Sequence, residues 1–588
     1  MRILFYFACI FLALSCNSSR TMSSCDTFME LKDSSLVDET AWKTVPDGLQ
    51  VSFGTTDRRY AKTVVPAVNT TTAWKGAGWK GERLSAQVIL WTAEKVDRVS
   101  FQFSDFKSSG SKLSSEIAQA RFVRYVMTDS FGKGCDADRS PEKYPASLAP
   151  DMLDNLTCFD IPSRTVRPVW ISIDIPAEAH TGIYKGTLSV LTKGKTKQKL
   201  NLEIEVQNKI LPAPAQWEYH LDLWQHPTAV ARWHQVPVWS DEHYNHLRPV
   251  MKMLADAGQK VITANLNKDP WNGQCYDRYA DMILWTKKTD GSWNYDYSAF
   301  DRWISFMMGL GINKMINCYS MAPWNNELDY WDEHSGAKVT VQAVPGTPVF
   351  SEVWTPFLKD FTKHLTEKGW LHITNIAMDE RSPEMMKATI NLVQQVAPDL
   401  GISLADNHKS YKEYPFIKDL CVKHGAKVDE ADLKYRKENG LTTTYYVYCG
   451  TEFPNMFTFS PPVEAVYSAW HSVAAGYDGF LRWAYNSWVE NPLLDSRYST
   501  WPAGDTYFVY PDERSSIRFE RLREGIQDAE KIRVIRDECT ASGTVEANQK
   551  LKRLYDALAD FSSTKAMNAE ECITLVNAAK KVLNEVSE

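Results

Sequence analysis

The chain has 588 residues, 24% charged and 44% hydrophobic, an ordinary globular composition on a length that calls for more than one compact domain. A net charge of -7 gives no basic footprint, so nucleic acid is not an expected partner. The 21 Trp and 26 Tyr supply flat amphipathic rings that suit large cores and also the apolar faces of sugars.

The N-terminus reads MRILFYFACIFLALSC: one Arg, an apolar run from Ile3 to Leu14, then Ser15 before Cys16. That is the layout of a short signal peptide, not of a membrane span, and it predicts export. The ALSC ending resembles a bacterial lipobox, with Cys16 as the lipidated first residue, although Ala13 stands where Leu is commoner. The expectation is an outer-membrane lipoprotein facing the periplasm or the surface, anchored to the membrane by its lipid, with plain secretion as the alternative. The polar, Ser-rich stretch 17–30 reads as a tether. Of eleven cysteines, nine remain once Cys9 and Cys16 are set aside, and neither a CxxC nor a zinc-like Cys/His spacing occurs, so no metal site is expected. Cys539 with Cys572, and Cys135 with Cys158, are the pairs to test for bridges.

Residues 31–212 carry about seven short β-branched and aromatic runs, among them LQVSF, RLSAQVILWTA and GIYKGTLSVLT, separated by turn residues and without helices between them. This predicts an N-terminal β-sandwich. LPAPAQ, 211–216, closes it. From 213 to 540 strand-like and helix-like runs alternate, and eight candidate strands, WEYHLDLWQ through DGFLRWAYN, predict a (β/α)8 TIM-like barrel. IKDLCVKH fits as its sixth strand or as a helix; in the second case DTYFVYPD, 505–512, supplies the eighth strand. Either way one connecting helix is missing. SIRFERLREGIQDAEKIRVIRD closes the barrel, and 541–588 reads as two further helices.

Chemistry is best sought in NIAMDERSPEMM, where Asp379 and Glu380 stand side by side at the C-terminal end of the fourth candidate barrel strand. Barrel active sites form at that end. Sequence neighbours are poorly placed to flank a sugar from opposite sides, as two-carboxylate glycosidases do. They can work from one side: Glu380 protonates the leaving oxygen while Asp379 holds the N–H of a 2-acetamido group whose carbonyl attacks C1. Repulsion from an ionised Asp379 then helps keep Glu380 protonated.

In HLDLWQHP the residues His220, Asp222, Trp224 and His226 are spaced by two, which places them on one face, toward the barrel interior near its mouth. An internal hydrogen-bond network explains His220 and Asp222 equally well. Trp224 and Trp483 are candidates for a sugar floor, with core packing as the rival reading. Tyr319, Asn407, Tyr448, Tyr485 and Asn486 lie at other strand ends as candidate hydroxyl contacts, and 486–513, with Trp488, Asn491 and Trp501, is long enough for a wall or lid.

Together MDE at 378–380, HLDLWQHP, GFLRWAYNSW at 479–488 and WPAGDTYFVYP running into SIRFERLREGIQDAE resemble the catalytic domain of glycoside hydrolase family 123, the exo-β-N-acetylgalactosaminidases and their bacterial relatives. The likeness covers about 210–540, and IPAEAHTGIYKGTLSV resembles the domain that precedes that barrel. The resemblance implies retaining, substrate-assisted hydrolysis of terminal β-linked GalNAc on a glycan, with Asp379 orienting the acetamide, Glu380 as acid/base, and no cofactor. Alternatives are another 2-acetamido sugar such as β-GlcNAc, or a non-catalytic glycan-binding lipoprotein, to which a repelling acid pair brings little.

Overall fold

The computed structural model describes Cys25 and residues 29–33, 35, 37–132, 135, 138–140 and 142–588. Cys16 and most of the 17–30 tether lie outside the described residues.

Two sheets stack face to face between residues 50 and 210. One is antiparallel, in the order Gln50–Gly54, Arg83–Thr92, Thr165–Asp174, Ala118–Thr128, Ser147–Leu153. The other runs Ala73–Lys80, Lys195–Ile210, Gly182–Thr192, Val96–Phe103, Phe159–Ile161, with a small hairpin of Phe106–Ser108 and Ser111–Leu113 at its side. Val88, Val169 and Ile171 of the first sheet meet Leu188, Leu200 and Ile204 of the second in a shared apolar core. This is the expected sandwich, with more strands than the pattern shows. Ala73–Lys80 escapes notice because its two glycines dilute the alternation. Ser147–Leu153 carries Pro150 mid-strand, tolerated because the strand lies at an edge and its register shifts there.

The barrel strands are β1 (His220–Leu223), β2 (Val261–Asn265), β3 (Met315–Tyr319), β4 (Thr374–Met378), β5 (Gly401–Asp406), β6 (Asp419–Lys423), β7 (Thr442–Tyr446) and β8 (Gly479–Arg482). They pair in parallel, β2-β3-β4-β5-β6-β7-β8-β1. An isolated bridge of Leu221 with Gln259, and the Gln259 side chain on the Leu223 N–H at 2.9 Å, nearly close the ring. IKDLCVKH is therefore strand β6, and DTYFVYPD contributes only isolated bridges. The missing helix falls between β5 and β6, where a single turn, Ser410–Lys412, replaces it.

The helices that matter here are α1 (Asp241–Ala255), α2 (Pro383–Val396), α3 (Val463–Ala474), α4 (Ile517–Ser542), α5 (Val545–Leu558) and α6 (Ala569–Ser587). Helix α2 starts sharply after the acid pair: Ser382 caps it by accepting the Met385 N–H, and Pro383 presets its first turn. Insertions after β2 and β3 build a four-stranded sheet, Trp293–Asp296, Leu284–Lys287, Glu327–Asp332, Ala337–Gln342, which the strand pattern does not announce.

The disulfides differ from the expected pairing. Cys25 bonds Cys158, and Cys135, on a sandwich loop that reaches the barrel mouth, bonds Cys449 just past β7. Cys539 on α4 and Cys572 on α6 are free, buried thiols.

Candidate active site

All five residues of β4 are buried, and Asp379 is the first residue beyond its end. The chain turns there, with the Arg381 N–H donating to the Asp379 carbonyl at 2.7 Å. That turn lets both neighbouring acids reach the mouth. Asp379 Oδ2 accepts the Trp324 indole N–H at 2.9 Å, and Oδ1 accepts the Glu380 backbone N–H at 2.9 Å. Burial pushes the Asp379 carboxyl up, while the Trp324 and Glu380 donors, Arg381 and Trp271 pull it back. Glu380 has less help. Burial and the Asp379 charge, with Asp406 adding to them against Lys423, push it up to about 7. The Tyr446 hydroxyl donates to its Oε1. Of the two acids, Asp379 is the one surrounded by N–H donors, so a proton shared by the pair resides on Glu380.

Beneath the acids lies an aromatic cluster of Trp224, Trp271, Tyr279, Tyr319 and Tyr446, packed on Ala377 of β4. Ring centroids are 4.6 Å apart for Trp224 and Tyr319, 5.0 Å for Trp224 and Trp271, and 4.7 Å for Trp271 and Tyr279. Trp483 joins at the edge. Its indole donates to Asp505 Oδ2 at 3.2 Å, and buried Arg482 holds the other oxygen at 2.6 Å. Trp501 meets Trp483 edge-on at 5.8 Å, so this part of the 486–513 excursion is a wall of the site. Trp488 is instead fully buried, with its indole on the Val509 carbonyl, and Asn491 is exposed.

His220 and Asp222 point into the barrel interior, as their spacing requires. Neither ring nitrogen of His220 has a protein hydrogen-bond partner, and the Asp222 carboxyl has only Trp224 and Gln259 as donors nearby, so the two do not share a closed internal network. Burial keeps His220 neutral by pressing its pKa well down; burial and Asp419 raise Asp222 well above the carboxylate range. His226 stacks on Tyr279 at 3.8 Å, with Nδ1 3.0 Å from Ser487 Oγ. Tyr319 is buried in the aromatic cluster, Tyr448 is half-buried at its rim, and Asn407 is exposed beyond β5.

Two candidates belong elsewhere. The Tyr485 hydroxyl donates to the Val250 carbonyl of α1 at 2.9 Å and its ring packs on Phe519, outside the barrel. Asn486 spends its amide on the backbone of His226, accepting the N–H at 2.9 Å and donating to the carbonyl at 3.0 Å. Strand β8 ends at Arg482, and beyond it the two-residue alternation no longer points side chains at the mouth. Four residues at the mouth were not anticipated. Tyr446 and Lys423 end β7 and β6, a signal readable from the strands themselves. Trp271 and Trp324 sit on loops, where no periodicity marks them.

An acid and an anion on one lip of a parallel barrel, over an aromatic floor, form the layout of an enzyme that cleaves a glycosidic bond. Residues 224–535 match the family model described as the glycoside hydrolase 123 catalytic domain, and residues 53–192 match that of the glycoside hydrolase 123 N-terminal domain. A family 123 glycoside hydrolase from Clostridium perfringens, solved for the details of glycolipid glycan hydrolysis, is 28% identical with a TM-score of 0.81, over 92% of this chain and 97% of that one. A Bacteroides ovatus family 5 xyloglucanase with a bound XXXG heptasaccharide is 9% identical, over 81% of this chain and 100% of that one, with a TM-score of 0.28, too low to bear on this chain. No curated protein sequence matches. The chain belongs to glycoside hydrolase family 123.

Proposed function

We propose that this hydrolase is a retaining exo-β-N-acetylgalactosaminidase that removes terminal β-linked GalNAc from glycans through an oxazoline intermediate. The observation that supports the reading best is the unequal environment of the acid pair. Glu380 is pushed up to about 7, while Asp379 is met by the Trp324 and Glu380 N–H groups. In this scheme the acetamide carbonyl oxygen bonds to C1 as the C1–O bond to the leaving group breaks. The Glu380 proton passes to the leaving oxygen, and Asp379 holds the acetamide N–H as it grows acidic. Glu380, now a carboxylate, takes a proton from the water that attacks C1 as the C1–O bond to the acetamide oxygen breaks and the acetamide is restored, and the sugar leaves with its original anomeric configuration. Trp224 and Trp271, both nearly fully buried, back the site as packed rings, and the partly buried Trp483 at its edge offers a ring face to the pyranose C–H groups. The action of the Clostridium perfringens relative on glycolipid glycans supports a glycan substrate here too. The signal-like residues 1–16 support export with a lipid on Cys16; Cys16→Ser should release the protein from membranes on fractionation.

The test compares aryl β-GalNAc and aryl β-GlcNAc substrates with activated and poor leaving groups. Glu380→Gln should lose about 10²- to 10⁴-fold in kcat/KM where the leaving group needs protonation and distinctly less where it does not. Asp379→Asn should impair both kinds. Equal losses for Glu380→Gln on both leaving groups would remove its acid role, and equal cleavage of sugars lacking the acetamide would remove the oxazoline.

A further inference from the structure

If Glu380 protonates the leaving oxygen and Asp379 holds the group on C2, the departing sugar must lie on the side of Glu380 away from Asp379. The ends of three successive strands line that side: Asn407 after β5, Lys423 closing β6 and Tyr448 two residues past β7. Lys423 is near enough for its charge to bear on Glu380, and its Nζ lies 4.4 Å from the centroid of the Tyr448 ring.

Among the described residues no carboxylate forms an ion pair with Lys423, and neither the Tyr448 hydroxyl nor the Asn407 amide has a hydrogen-bond partner. Asp406, the carboxylate nearest to them in sequence, is spent on its own loop, accepting the His408 N–H at 2.8 Å, the Ser410 N–H at 2.6 Å and the Ser410 hydroxyl at 3.1 Å. What remains is the Lys423 ammonium against the Tyr448 phenol, with the exposed Asn407 amide on the neighbouring strand end, next in register to Lys423. The place is also stiff. Cys449, next to Tyr448, is bonded to Cys135 of the sandwich. The Tyr448 ring lies so close to Gly450 that a Cβ there would stand 2.7 Å from the ring, and Asn455 holds the Tyr448 carbonyl at 3.1 Å. A wall held this way loses little freedom when a ligand seats on it.

We propose that Lys423, with Tyr448 and Asn407, forms a leaving-group subsite that selects glycans whose sugar next to the terminal GalNAc carries an anionic group, a carboxylate or a sulfate. This rests on the assignment of Glu380 as the acid. Protonated Glu380 does not repel such a group, and the Asp379 charge is directed to Trp324 and Arg381.

Calorimetry with the Glu380→Gln full chain tests it. Three ligands share one GalNAc-hexose core, with the hexose unsubstituted, sulfated, or carrying a carboxylate sugar. At low salt at least one anionic ligand should bind about tenfold more tightly than the neutral core, the gain expected of a charge-assisted hydrogen bond. Lys423→Gln, added to the same chain, should abolish that ratio, Lys423→Arg should keep most of it, and high salt should shrink it. Which anionic ligand gains identifies the source. Equal affinity for neutral and anionic ligands, or a preference that survives Lys423→Gln, overturns the subsite. Hydrolysis of the neutral core by the unaltered protein is read in parallel. If the core is cleaved without any charge preference, only the subsite fails; if it is neither bound nor cleaved, the proposed function fails and the subsite with it.

Discussion

Glu380 at about 7 places the working proton within the physiological range, and the sign of the pH dependence follows. On substrates with poor leaving groups, kcat/KM should fall as pH rises through about 7, because the acid form is lost. Asp379→Asn removes the neighbouring negative charge that helps hold that proton. The alkaline limb of its residual activity should therefore move to lower pH, as measured in a pH-rate profile; a limb that stays in place would mean that burial and the other neighbouring charges, not Asp379, set the acid. At this scale the sequence is readable where two things coincide: a charged pair and the end of an apolar strand. Asp379 and Glu380 satisfy both. Trp324 satisfies neither, because its partnership with Asp379 depends on how the β3 loop folds back over β4, and no local pattern records that.

The barrel strands were legible because each is a short apolar run bounded by turns, and one connecting helix too few could be counted, but only the structure places that gap after β5. The two-residue alternation was less dependable beyond the strand ends. His220 and Asp222 lie within β1 and point inward as expected, whereas Tyr485 follows the end of β8 and turns outward to α1. That difference is measurable. Tyr485→Phe removes a buried hydroxyl and leaves the Val250 carbonyl without it, so the variant should lose about 1 kcal/mol of stability in denaturant unfolding. Its kcat and KM should match those of the unaltered protein; a raised KM would return Tyr485 to the site. The four-stranded sheet built after β2 and β3 was hidden for another reason: its strands belong to two separate insertions and pair only once the barrel has brought them together.

For the whole molecule, α4 is the member that joins sandwich to barrel. Its sequence reads as a charged surface helix, yet most of its length is buried, because one side packs on α3 and another on the sandwich. Its charges are therefore paired in the interior. Glu520 meets Arg121 of the sandwich at 2.9 Å, Arg521 meets Asp57 at 2.5 Å, Arg518 meets Asp151 at 3.0 Å and Lys531 meets Glu82 at 3.1 Å. Breaking one such pair leaves a buried charge alone and costs roughly 3–5 kcal/mol. Burial alone would raise Glu520, but Arg121, Arg83 and Arg523 outweigh it and hold the carboxyl at about 2, below the ordinary 4.5. A depressed carboxyl stabilises the folded state fully above the unfolded-state value, and that contribution is lost as pH falls toward the folded-state one. The affected window thus runs from about 4.5 down to about 2, with about 3 kcal/mol at stake if the unfolded chain titrates normally. Glu520→Gln keeps the shape and removes the charge, so it should be much less stable than the unaltered chain at pH 7. The gap in thermal midpoint should narrow steadily as both are scanned from pH 5 to pH 3, because the unfolded form of the unaltered chain takes up a proton at Glu520 there while the folded form still resists it. A gap independent of pH would show that Glu520 holds α4 to the sandwich through packing and not through its charge.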